Sequence, residues 1–124
     1  MARILIAEDE EALRVMCARG LAMDGHEVEM TADGSEALDV LVREQGRFDL
    51  LLTDVRMPMM DGIALALAVA RDFPTVTILL MTGYADQRER ASGLEAIIHD
   101  VITKPFPLST LRAAVKEALV VKTR

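Results

Sequence analysis

The sequence predicts an α/β fold: a doubly wound, five-stranded parallel sheet with helices on both faces. Three observations carry the prediction. Five short β-rich runs alternate strictly with segments of helical periodicity. Three of those runs, Ile4-Leu5-Ile6-Ala7, Leu50-Leu51-Leu52 and Val76 to Met81, are almost continuously apolar, as strands buried on both faces are. A strict β-α repeat of this kind closes through right-handed crossovers into a parallel sheet.

Taken in order, the strand runs are Arg3 to Ala7, Glu27 to Thr31, Phe48 to Thr53, Thr75 to Met81 and Ile98 to Thr103. The helices between them show apolar spacings of three and four. Leu13, Val15, Met16, Leu21 and Met23 mark the first, and Ala37, Leu38, Leu41 and Val42 the second. Ile63, Leu65, Ala66 and Val69 mark the third, and Leu108, Leu111, Val115 and Leu119 the last. Gly25 is placed to end the first helix and Gly34-Ser35 to open the second. A further helical segment, Asp86 to Glu95, is polar and carries Gly93 inside it.

With 124 residues there is room for one compact domain, read here as residues 1–124 with no output domain after the last helix. Hydrophobic residues make up 52% and aromatics only 3%, so Val, Ile, Leu, Ala and Met must build the core. A net charge of −6 argues against binding a nucleic acid backbone, which needs a basic face. No apolar run approaches the roughly 20 residues that span a bilayer. The short apolar start is followed at once by Glu8-Asp9-Glu10-Glu11, unlike a secretion signal, and the single Cys17 fits inert packing in a reducing compartment. A cytoplasmic protein is expected.

In such a sheet the site lies beyond the C-terminal ends of the strands. There the sequence places Glu8-Asp9 after the first strand, Asp54 at the end of the third, Thr82 after the fourth and Lys104 after the fifth. Three carboxylates brought together repel unless a cation joins them, and an all-oxygen ligand set selects a hard cation such as Mg²⁺. With that cation and the Lys104 ammonium, the site can accept a phosphoryl group, and a central carboxylate can serve as the nucleophile. Each residue alone has a plainer use: Asp9 as a helix N-cap, Thr82 in a turn, Lys104 as a solvated charge. Their joint placement after four strands favours chemistry. His26 and His99 have no second ligand at metal spacing and are read as structural.

Four stretches carry a resemblance: Ile4 to Glu10, Asp49 to Gly62, Met81-Thr82-Gly83-Tyr84 and Thr103-Lys104-Pro105-Phe106. Together they resemble the receiver domain of bacterial two-component response regulators over essentially the whole chain. That resemblance implies the flavodoxin-like (βα)5 sheet with strand order 2-1-3-4-5. It implies Asp54 as the phosphoacceptor, served by a histidine kinase or histidine phosphotransfer protein. By the same likeness Glu8 and Asp9 form the acid pair, and Asp9, Asp54 and the Arg56 backbone carbonyl ligate Mg²⁺. Thr82 would be the switch hydroxyl, and Lys104 would contact the phosphoryl group and precede Pro105 in a cis peptide.

The sequence departs from the common pattern in three places. Glu8 stands where Asp is more frequent. Val101 replaces the Tyr or Phe whose ring rotation accompanies switching; Tyr84 either takes that part or only flanks the pocket. Leu94, Ile97 and Ile98 replace a small pair before the last strand, and either pack under the preceding helix or form an apolar docking patch. In the loop after Asp54, Met57 is expected to be buried, and Met59 or Met60 to be an adaptable surface contact. An aspartyl-phosphate phosphatase would need a second carboxylate two residues after the nucleophile, where Arg56 stands, so no enzyme with external substrates is expected.

In the stretches Met1 to Asp9, Asp61 to Leu67 and Met81 to Ala85 the sequence looks especially similar to the CpdR-like group of single-domain receivers. That implies a proteolysis adaptor, active when unphosphorylated, that engages ClpX of the ClpXP protease, with polar placement and a part in cell-cycle progression. A phosphorelay intermediate and a chemotaxis-type diffusible effector are the alternatives.

Overall fold

The computed structural model describes residues 2–83 and 91–123. Five strands form one parallel sheet: β1 (Arg3–Ala7), β2 (Glu27–Thr31), β3 (Leu50–Asp54), β4 (Thr77–Thr82) and β5 (Asp100–Thr103). Their order is β2-β1-β3-β4-β5, all pairs parallel. Among the described residues, four helices connect and follow them: α1 (Glu11–Met23), α2 (Gly34–Arg43), α3 (Gly62–Asp72) and α4 (Leu108–Thr123).

Alternation along each strand divides the core into two layers. Leu5, Ala7, Leu51, Ile78 and Leu80 face one way, against Ala37 and Leu41 of α2 and Leu65, Ala66 and Val69 of α3. Ile4, Ile6, Leu50, Leu52, Leu79, Met81 and Ile102 face the other, against Cys17 and Leu21 of α1 and Leu111, Val115 and Ala118 of α4. Glu8, Asp54 and Lys104 continue the phase of this second set, two residues beyond Ile6, Leu52 and Ile102. The packing that fixes the α1 and α4 layer therefore also sets the direction in which the acidic rim points.

Helix ends follow local chemistry. Asp33 and Asp61 cap α2 and α3, each side chain accepting a backbone N–H, from Glu36 and Ala64, at 2.8 Å. Gly25, beyond the end of α1, takes φ +88°, which a Cβ would disfavour.

Several boundaries and faces differ from the sequence reading. β3 begins at Leu50 rather than Phe48, because Asp49 uses its N–H on the Arg3 carbonyl and its carboxylate on the Arg3 N–H. β5 begins at Asp100, although His99 already donates to Ile78. Met16, Met23 and Val42, counted among the apolar stripes, are exposed, while Cys17 and Val40 take the buried positions. The segment expected as a helix over Asp86 to Glu95 lies partly outside the described residues. Its described part starts with Ala91 in α-helical conformation and ends in a 3-10 turn, Ser92–Leu94, where Gly93 disfavours continuing the α-helix. After it, Leu94, Ile97, Ile98 and Val101 sit half-buried against the α2–α3 core layer.

Candidate phosphoacceptor site

β1, β3, β4 and β5 all run toward one rim, and register sets what meets there. Asp54 ends β3 opposite Met81, and Thr82 ends β4 opposite Thr103. The Lys104 N–H donates to the Thr82 carbonyl at 2.8 Å, so the fifth strand's ammonium and the fourth strand's hydroxyl share one ladder end. The Lys104–Pro105 peptide is cis.

The side chains converge tightly. Lys104 Nζ lies 2.8 Å from Glu8 Oε1 and 3.0 Å from Asp54 Oδ2. Glu8 Oε2 accepts the Glu10 N–H at 2.9 Å. Carboxylate oxygens of Glu8, Asp9 and Asp54 all lie within 4.8 Å of one another. Glu8 and Thr82 are fully buried and Asp54 nearly so, while Asp9 is exposed. The residue that caps α1 is Glu10, without a side-chain cap bond, so Asp9 is not the cap of that helix. Arg56, Met57, Pro58, Gly83 and Phe106 complete an open cleft of about 960 Å³ around these groups.

Burial dominates the electrostatics. It raises the Asp54 carboxyl above its ordinary value, opposed by the Lys104 hydrogen bond and assisted by the nearby Asp9 charge. Burial also raises Glu8, against its bonds to Lys104 and Glu10. For Lys104 desolvation acts downward, but its bonds to Glu8 and Asp54 outweigh it and the ammonium ends above its usual value. Two buried carboxylates around one ammonium, with a third at the mouth, leave an excess of negative charge. A hard divalent cation held by oxygen ligands would offset it, and this donor set fits Mg²⁺ rather than a softer metal.

A family model described as the response regulator receiver domain matches residues 4–116. The chain belongs to the response regulator receiver family. Receiver domains are signalling modules of two-component systems that work with histidine kinases or phosphotransfer proteins and bind Mg²⁺ in an acidic pocket. Among curated relatives, response regulator MprA of Mycobacterium avium is 36% identical over 117 residues, covering 94% of this chain and 50% of that protein. MprA of Mycobacterium tuberculosis matches equally well. The chain thus spans about half the length of the curated relatives it matches. Among solved structures, a CheY-like receiver domain protein of Methanospirillum hungatei is 30% identical, with a TM-score of 0.89 over 99% of this chain and 97% of that one. TrrA of Thermotoga maritima, solved with Mg²⁺ and BeF, is 28% identical, with a TM-score of 0.85 over 96% of this chain and all of that one.

The structure brings Glu8, Asp9, Asp54, Thr82 and Lys104 to one rim, with Arg56 in the loop beside them. Val101 lies half-buried on β5, paired in register with Leu80 and packed on the core. Tyr84 lies outside the described residues. Of the loop methionines, Met57 is buried, Met60 packs partly on the core and Met59 is 85% exposed. Sequence reasoning missed Gly62, whose lack of a side chain the site requires. A Cβ there would lie 2.0 Å from the Asp54 carbonyl oxygen, and its N–H donates to Val55. The Asp61-Gly62 pair was the available signal, an N-cap followed by a residue able to fold back on a strand end. Also missed was the direct Glu8–Lys104 ion pair; the longer reach of Glu over Asp is what suggests it.

No helix among the described residues is long and apolar enough to cross a membrane.

Proposed function

We propose that the chain accepts a phosphoryl group on Asp54 in a Mg²⁺-dependent reaction and uses the modified state to change which protein it binds. The observation that carries this reading is the Lys104 ammonium held 3.0 Å from Asp54 inside a cluster of three carboxylates. Asp9, Asp54 and the Arg56 carbonyl would hold the cation, which supplies charge compensation for the phosphoryl oxygens. The Asp54 carboxylate attacks the donor's phosphorus, and the donor nitrogen leaves with the electrons of the broken P–N bond. Lys104 then stays on a phosphoryl oxygen as a point charge. Thr82, buried at the end of β4, supplies the hydroxyl that reports the new group. The phosphoryl donor is a histidine kinase or a histidine phosphotransfer protein.

For the output, the likeness to CpdR-like receivers supports an adaptor of the ClpXP protease that is active when unphosphorylated, in the cytoplasm and at the cell pole. Phosphorelay transfer and a chemotaxis-type effector role remain the competing outputs.

Two measurements test this. Incubation with acetyl phosphate and Mg²⁺ should label wild type and not Asp54→Asn, with EDTA abolishing the label; label retained on Asp54→Asn sinks the acceptor assignment. Affinity capture with Asp54→Ala, beside wild type held with Mg²⁺ and beryllofluoride, then tests the output. ClpX retained by Asp54→Ala and lost with beryllofluoride supports the adaptor. A phosphotransfer protein captured instead refutes it and leaves phosphorylation standing.

A further inference from the structure

The segment between Asp54 and Gly62 carries the Arg56 carbonyl, and it is held at both ends by glycines too close for a side chain. Gly62 grips the Asp54 end, as described above. At the other end Gly34, the buried first residue of α2, donates its N–H to the Met60 carbonyl at 3.2 Å. A Cβ on Gly34 would lie 2.3 Å from that oxygen and 3.0 Å from its carbon. Both are backbone atoms, so the conflict cannot be relieved by turning a side chain. Either the loop or the helix must move.

A second feature points the same way. Met59, next to the held carbonyl, takes φ +69°, a left-handed conformation uncommon for a residue with a side chain. Its own side chain is 85% exposed and contributes little to keeping it there. Its neighbour Met60 is held from three directions: its N–H donates to the Pro58 carbonyl at 2.8 Å across Met59, its side chain packs partly on the core, and its carbonyl is gripped by the α2 N-terminus.

We infer that Gly34 is a positioning residue for the metal: through Met60 it fixes the β3–α3 loop, and with it the carbonyl ligand at Arg56. This rests on the proposed Mg²⁺ site. Gly34 itself touches neither metal nor phosphoryl group.

The test is Mg²⁺ titration by calorimetry, with melting temperature measured alongside. Wild type is compared with Gly34→Ala and with Gly46→Ala. Gly46, just past the opposite end of α2, has φ +71°, and a Cβ there would meet the Phe73 side chain at 2.5 Å, so the control strains the same helix region away from the loop. Gly34→Ala is expected to bind Mg²⁺ about tenfold more weakly, as loss of an outer support does, while Gly46→Ala stays within about twofold of wild type. Affinity within about twofold for Gly34→Ala, or an equal loss in both variants, overturns the inference. Should Gly34→Ala not fold, wild type decides: saturating Mg²⁺ must slow hydrogen exchange at the Gly34 amide, because coupling is reciprocal. Unchanged exchange overturns the inference. Absence of Mg²⁺ binding by wild type overturns the proposed site and this inference with it.

Discussion

At the residue scale, the site's charges oppose its folding. Asp54 and Glu8 have carboxyls raised by burial, so folding favours their protonated forms. The sign follows from proton uptake. Between the ordinary carboxylate values, about 4, and their raised native values, the folded state binds more protons than the unfolded one, so without metal their contribution to stability falls as pH rises. Asp54→Asn removes one such group and should raise the metal-free melting temperature at neutral pH while flattening its fall as pH rises out of the ordinary carboxylate range. Melting curves in EDTA check this; a lower melting temperature for the variant would contradict it. Lys104→Ala acts in the opposite direction, leaving two buried carboxylates without their cation. A loss of roughly 1–3 kcal/mol by urea unfolding is expected, moderated by the water that reaches the half-buried ammonium. Cys17 is simpler. Burial first, and the Glu8 charge second, push its thiol up to about 11. It should resist iodoacetamide at pH 8 in the native protein and react once unfolded, which mass spectrometry can follow.

At the element scale, the starts of α2 and α3 each rest on a single side chain. Asp33→Ala should lower stability by about 1 kcal/mol, a shift of several degrees in melting temperature for a domain of this size. Strand limits were legible where the apolar run and the ladder coincide, as in β1, and where polar and apolar residues alternate, as in β2. They were less so at Asp49, where a side chain and backbone bond to Arg3 replaces a ladder position that no periodicity announces. Helix faces were read with one systematic error. Met16, Met23 and Val42 satisfy the spacing but sit at the margin of their stripes, while Cys17, read as packed, and Val40, not counted in its stripe, occupy the centre. The rim residues Glu8, Asp9, Asp54, Thr82 and Lys104 were legible because strand ends are fixed by topology. Gly34 and Gly62 were not singled out for the site, since close approach of two backbones leaves little mark in a sequence except a missing side chain.

At the scale of the whole molecule, β3 is the keel: every residue of it is buried, between β1 and β4 and between two helical layers. Leu51→Ala should cost about 3 kcal/mol, the usual range for a buried leucine, measured by chemical unfolding. The two-layer core has a further consequence. Since odd and even residues of a strand serve opposite layers, the sheet behaves like a text with a reading frame two letters long. Deleting one residue inside β3 would exchange the partners of Leu50, Leu51 and Leu52 or else pull Asp54 off the rim; no arrangement preserves both. Loops such as the one around Gln45 and Gly46 carry no such frame. Homologous chains of this fold should therefore vary in length between elements while each strand keeps its count, because a single-residue slip there is a loss of core and chemistry in one step.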